Sequence, residues 1–249
     1  MKGLIIKDIY CLKKQITTYG FVIFGVVAVA IMFVLSERFG NLRMTVSGME
    51  EAGFDIAAVV KITVMFFMLL PIVCAGQIGD LFNYDASASF YKTAASMPVS
   101  TKKRVLSKFL TTFIFIAVGL VVDIAMAAVI SSVSDIITFS KCMGTLFSLG
   151  SCMMIFTSSV ITLDYTGVKP EYSYFYPVGA ASVLFFVIKF RDIKNALIND
   201  DFAAFSGFFH HLINNFESRP YLFIIVAAVV SVLCYCISVY IAETKRGVA

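Results

Sequence analysis

The sequence predicts an all-α membrane protein built as one domain over residues 1–249. It has six transmembrane helices, an N-terminal interfacial helix, a helical cytoplasmic loop and an outer amphipathic or re-entrant helix. Three observations lead there. Apolar residues make up 59% of the 249 and charged ones only 14%, against about a quarter in a soluble domain. Six stretches, at 17–35, 56–78, 108–131, 142–163, 174–190 and 220–241, reach or approach the roughly 20 apolar residues that a bilayer core requires. These runs are continuous rather than alternating, which indicates helices and not barrel strands.

Residues 2–15 place Leu4, Ile5, Ile9 and Leu12 on one helical face, with Lys2, Lys7, Lys13 and Lys14 largely elsewhere. Such a helix rests at the membrane surface, drawn to anionic lipid. In the first span Ala28 and Ala30 form an A-x-A, but mid-span, so the segment reads as a retained anchor and not a cleaved signal. Residues 79–107 form the longest cytoplasmic loop. One helical piece covers 85–96, Pro98 interrupts it, and Ser100 or Thr101 caps the helix that enters the third span. Phe90, Tyr91 and Met97 are apolar groups in this loop. They read equally as a partner site and as a surface packed on the bundle or on headgroups.

The fifth stretch is the shortest and is flanked by Tyr172, Tyr174, Phe175 and Tyr176, an interfacial aromatic belt. In the loop 191–219, Phe202, Phe205, Phe208, Phe209, Leu212, Ile213 and Phe216 recur at helical spacing. That segment lies on the outer leaflet or dips in and returns. His210 and His211 fall on it, and nothing nearby completes a tetrahedral metal set.

Orientation follows from the cations. With the N-terminus inside, eleven Lys and Arg fall in cytoplasmic segments and six in outer ones. That asymmetry favours both termini in the cytoplasm.

No catalytic constellation is present in the sequence. The chain has no G-x-x-x-x-G-K-[ST], no H-E-x-x-H and no G-x-S-x-G. The six cysteines show no paired spacing and lie mostly in apolar runs, which argues against a disulfide framework or zinc site. A net charge of +4 is too mild to suggest nucleic acid as a partner. Two ionisable residues sit within spans, Lys61 and Asp123. Intramembrane charges are costly and tend to be functional. The two either approach each other or line a polar cavity. The plainer alternative is that Lys61 snorkels to the headgroups and Asp123 bonds a neighbouring backbone.

The run Ser96-Met97-Pro98-Val99-Ser100-Thr101-Lys102-Lys103, followed by Val105-Leu106-Ser107-Lys108-Phe109-Leu110, resembles the hallmark of small six-span permease subunits of type-2 ABC exporters. The aromatic-acidic stretch that precedes this turn in that family is matched by Phe82, Tyr84 and Asp85. Met97 stands where Leu is usual, Thr101 where Arg is common, and the segment 164–169 matches weakly. Among such permeases the chain resembles those that export phenol-soluble-modulin-like peptides or confer immunity to peptide antibiotics. The resemblance implies that the loop is a coupling helix docking on a separate cytoplasmic ABC ATPase. Asp85, Phe90, Tyr91, Lys92, Met97 and Pro98 are the contact candidates. It further implies a bacterial cell membrane, a second permease copy in a homo- or heterodimer, and ATP and Mg held by the ATPase, with no cofactor in this chain.

The resulting expectation is a non-enzymatic permease that moves an amphipathic peptide or other apolar cargo outward. A membrane-bound immunity or binding protein that sequesters a peptide is the alternative, and an intramembrane enzyme a more distant one. The topology is testable. Single cysteines engineered into 79–107 are expected to react with a membrane-impermeant maleimide only after the cytoplasmic side is opened, and labelling from outside would reverse the orientation.

Overall fold

The computed structural model describes residues 2–39, 70, 72–73, 81–82, 85, 99–133, 138–168, 170–183 and 218–246, and all regular structure there is helical. In chain order the helices are α1 (Lys2–Cys11), α2 (Lys13–Phe39), α3 (Thr101–Val133), α4 (Phe139–Thr166), α5 (Pro170–Ser173) and α6 (Pro220–Arg246). Among the described residues three helices are long and apolar enough to cross a membrane: Thr101–Ser132, Phe139–Thr166 and Pro220–Thr244. They correspond to the third, fourth and sixth expected spans. A fourth is reached if α1 and Ile16–Met32 are taken as one bent span, with 67° between the two parts. The second expected span, the loop segment 86–98, residues 184–190 of the fifth span and the outer amphipathic segment 201–216 lie almost wholly outside the described residues.

The bend falls at Leu12, which is itself buried. Helical hydrogen bonds run up to it and on from it, Leu12 N to Asp8 O at 3.2 Å and Ile16 N to Leu12 O at 2.8 Å. A helix turned this far from the next lies closer to perpendicular than parallel, as expected for a surface helix feeding a span. Its burial agrees with the amphipathic reading at Leu4, Ile5, Ile9 and Leu12, which are partly or fully buried, and departs from it at the charges. Asp8 and Leu12, one turn apart, face the bundle, while Ile6 and Tyr10 point outward. Lys7, expected on the polar face, is half-buried. The reason is electrostatic.

Helix α3 has 33 residues, about 50 Å of helix, so it exceeds the hydrocarbon core. The extra length is at its N-terminal end, where Lys102, Lys103 and Arg104 are good helix formers despite their polarity. Ser100 occupies the N-cap position; its carbonyl accepts bonds from the Lys103 and Arg104 amides at 3.1 and 3.2 Å. Helix α4 ends at Gly167, whose φ of 92° is the left-handed region that glycine adopts without strain, and whose N–H returns to Asp164 O at 3.2 Å.

Helices α3, α4 and α6 form the bundle, with the most extensive packing between α4 and α6. Near the far end of α3 the core is built from Ala30, Met126, Ala127, Ile130, Cys142 and Leu146. Near its start the core holds Phe82, Val105, Phe109, Ile161 and Val239. Edge-to-face ring pairs tighten this second cluster, Phe82–Tyr165 at 5.6 Å and Phe109–Tyr235 at 5.9 Å between centroids. At Gly150 an added Cβ would sit 3.0 Å from Leu120 Cδ2, so the missing side chain brings α3 and α4 close.

Helix α4 is rich in Ser and Thr, which a span tolerates because the hydroxyls bond their own helix. Thr145, Ser151, Thr157, Ser159 and Thr162 each donate to the carbonyl four residues back, at 2.7–3.2 Å. Small residues then line the contact with α6. Ser158 donates to Ser231 at 3.0 Å, Ser238 to Thr162 at 3.1 Å, and Ala227 is buried one turn from Ser231. The remaining surface of α6 exposes Tyr221, Ile225, Val229, Val232 and Leu233, an apolar face that fits lipid and not water. Enlarging the seam should therefore hurt more than enlarging the lipid face. Ala227→Leu is expected to cost about 1–3 kcal/mol through overpacking, and Val229→Leu to stay within about 0.5 kcal/mol, both read as thermal unfolding in detergent micelles.

Candidate functional site

At the end of the bundle where α1 lies, three pieces of chain bring four charges together. Helix α1 contributes the adjacent Lys7 and Asp8. Helix α3 contributes Lys108, about 10 Å along from its first residue. The stretch between α2 and α3 contributes Asp85, helical like Leu81 and Phe82 before it. Positions 81, 82 and 85 share one helical face, and all three are buried. Leu81 packs on Leu12 and Phe115, and Phe82 enters the core of α3, α4 and α6. Asp85 is thereby carried in beside them.

The four charges alternate in a closed ring. Lys108 Nζ lies 3.0 Å from Asp8 Oδ1 and 2.5 Å from Asp85 Oδ2. Lys7 Nζ lies 3.1 Å from Asp8 Oδ1 and 2.5 Å from Asp85 Oδ1. The hydrogen bonds within it run from Lys108 to Asp8 and from Lys7 to Asp85. The ring is deeply enclosed: Asp8 is 1% exposed, Asp85 3% and Lys108 7%. Lys108 also stands 5.5 Å from the centroid of the Phe82 ring, close enough for a cation–π contact.

Taking ions out of water costs several kcal/mol each unless partners are near and well aligned. Two lysines and two aspartates cancel, and each ion has two opposite neighbours. Lys7 shows the balance. Burial alone would lower its pKa, but the hydrogen bond to Asp85 and the charges of Asp8 and Asp85 outweigh that and hold it above its ordinary 10.5. With a raised folded-state value, its stabilising contribution is complete below pH 10.5 and is lost only as pH climbs through the folded pKa. Lys7 thus carries its charge at neutral pH, as the ring's balance requires.

Of the residues singled out from the sequence, Asp85 is in the ring, its carboxylate enclosed. Phe90, Tyr91, Lys92, Met97, Pro98 and Lys61 lie outside the described residues. Asp123 is on α3 about 22 Å beyond Lys108. It is 0% exposed, and neither carboxylate oxygen has a hydrogen-bond partner among the described residues. The expected approach of Lys61 to Asp123 therefore involves one residue outside that set. The ring's other three members are not legible as a site in the sequence. Lys7 reads as part of a cationic face, Lys108 as the edge of a span, and Asp8 as nothing in particular. The available signals are an acid within a basic segment and the shared face of Phe82 and Asp85. Among the described residues no three His, Cys, Asp or Glu are grouped to hold a metal ion.

A family model described as ABC-2 family transporter protein matches residues 54–243. The chain belongs to that family. No curated protein and no solved structure matches it. As an ABC-2 permease it is a multi-pass membrane component of an ABC transporter and not itself the catalytic part, and proteins of this family generally work with an ABC ATPase. The matched residues include Asp85 and Lys108 but not Lys7 or Asp8, so the ring fastens the N-terminal helix to the family's own region.

Removing one lysine should leave two buried carboxylates facing a single cation. Lys108→Met is expected to destabilise the ABC-2 permease by about 3–5 kcal/mol, and adding Asp8→Asn, which restores neutrality, to recover part of that loss. Thermal unfolding of the single and double variants in micelles checks both.

Proposed function

We propose that this permease is the membrane subunit of an exporter that moves an amphipathic peptide or other apolar cargo outward, driven by ATP hydrolysis in a separate ABC ATPase. The observation that carries this reading is the anchoring of Leu81, Phe82 and Asp85 among α1, α3, α4 and α6. The segment after Asp85 starts from a braced root and ends at Ser100, the cap of α3. A push on that segment reaches two bundle elements at once. The family assignment and the run 96–110 support reading it as a coupling helix, with Phe90, Tyr91, Lys92, Met97 and Pro98 in contact with the ATPase and Asp85 acting through the ring.

In this reading the α1 end of the bundle is cytoplasmic, both termini face the cytosol of a bacterial cell, and two permease copies pair around the cargo path. The chain has no phosphate-binding loop, so ATP and Mg belong to the ATPase. Transport by alternating access requires that cargo and nucleotide each favour one of two states by differential binding. The Phe- and Met-containing spans suit a greasy cargo because such side chains repack around varied shapes.

The test is retention of the partner. A tagged chain is expected to pull down an ABC ATPase from native membranes, and Phe90→Asp with Tyr91→Asp to reduce its recovery at least tenfold while the permease still reaches the membrane. Recovery of the intact chain with no ATPase would favour a peptide-sequestering membrane protein instead.

A further inference from the structure

The ring's two carboxylates are used unequally. Asp85 engages a lysine with each oxygen, Lys7 through Oδ1 and Lys108 through Oδ2. Asp8 meets both lysines with Oδ1 alone. Its Oδ2 is buried and has no hydrogen-bond partner among the described residues. A buried acceptor without a partner is costly, and here it sits within a few ångströms of two ammonium groups.

The inequality gives the ring a second arrangement. If Asp85 moves away, Lys7 and Lys108 each keep an existing contact with Asp8, and Asp8 Oδ2 is available to take one of them fully. If Asp8 is lost, α1 keeps only Lys7 to reach Asp85, and its direct tie to Lys108 of α3 is gone. The two carboxylates also have different supports. Asp8 is on a helix continuous through the Leu12 bend with α2, whereas Asp85 is at the root of the segment that leads to Ser100. A withdrawn Asp85 leaves two lysines facing one aspartate in a dry site, an excess positive charge that draws it back.

We propose that Asp8 and Lys108 are positioning residues of the transport cycle. They hold α1 against α3 throughout, while Asp85 engages and disengages the two lysines as the segment beyond it is displaced. Lys7 follows Asp8. The ring thereby converts displacement of one segment into a change of charge balance at the foot of α3, without releasing the surface helix. This rests on the reading that the segment after Asp85 meets an ATPase.

Hydrogen–deuterium exchange on the complex of the permease with its co-purifying ATPase, held in lipid nanodiscs, tests it. Asp85→Asn should leave uptake in α1 within twofold of the unaltered chain. Asp8→Asn should speed it at least tenfold, as should Lys108→Met, and Lys108→Arg should restore protection. With ATP and orthovanadate, uptake in 79–98 should change while α1 stays protected, except in Asp8→Asn, where α1 should change too. Where Asp8→Asn alone fails to fold, Asp8→Asn with Lys7→Met keeps the ring neutral and is read the same way. Equal release of α1 by Asp85→Asn and Asp8→Asn, or unchanged protection in Asp8→Asn within an intact complex, overturns the inference by itself. Failure of the unaltered chain to retain any ATPase overturns the transport reading and the inference with it.

Discussion

Charges buried together must neutralise one another, and that requirement sets how three remote parts of this chain meet. Apolar contacts such as Leu12 with Leu81 and Phe115 tolerate sliding, because dispersion and hydrophobic burial are non-directional. The contacts of Lys108 do not. It must stand level with both Asp8 and Asp85, and a shift of one helical turn, about 5.4 Å, would break both contacts, leaving Lys108 unpaired and two carboxylates sharing Lys7. The bend at Leu12, the outward turn of Ile6 and Tyr10, and the entry of Phe82 into the core are all compatible with that one register.

The third, fourth and sixth spans are legible in the sequence because hydropathy is a property of a single helix. Helices α3, α4 and α6 fall where the apolar runs place them, and differ mainly in reaching further. Lys102, Lys103 and Arg104 lower the hydropathy of a window without opposing helix, so α3 starts at Thr101, where the capping reading of Ser100 or Thr101 puts it, ahead of the apolar run at 108. The ring is illegible for the opposite reason. Asp8 and Lys108 are a hundred positions apart, and nothing in the periodicity of either segment specifies the other. An amphipathic reading of α1 assigns its charges to the wet side by default. Asp8 and Lys7 turn inward because their partners come from elsewhere in the chain. The short run at 96–110 points to the family without reference to any contact, since it records the loop's identity more than its conformation.

The two buried acids on or against α3 illustrate how differently a membrane protein can treat the same group. Asp85 is enclosed with two lysines and is held by charge. Asp123, some four turns past Lys108, is enclosed a turn short of the buried Met126 and Ala127, with its carboxylate unmatched among the described residues. The first is matched by the opposite charges around it. The second is a polar group set where the surroundings do little to support a charge.

The hydroxyls between α4 and α6 behave unlike either. Thr162 donates to Ser158 O of its own helix at 2.9 Å as well as to Cys234 O across the seam at 3.3 Å. Ser238 likewise donates to Cys234 O at 2.8 Å in addition to reaching Thr162. Were the two helices to part, Thr162 and Ser238 would each fall back on a carbonyl it already holds, while Ser158 and Ser231 would lose the bond they share. The molecule thus combines a joint that resists separation at its α1 end with a self-lubricated one along α4 and α6, where two membrane helices can slip past each other at little polar cost.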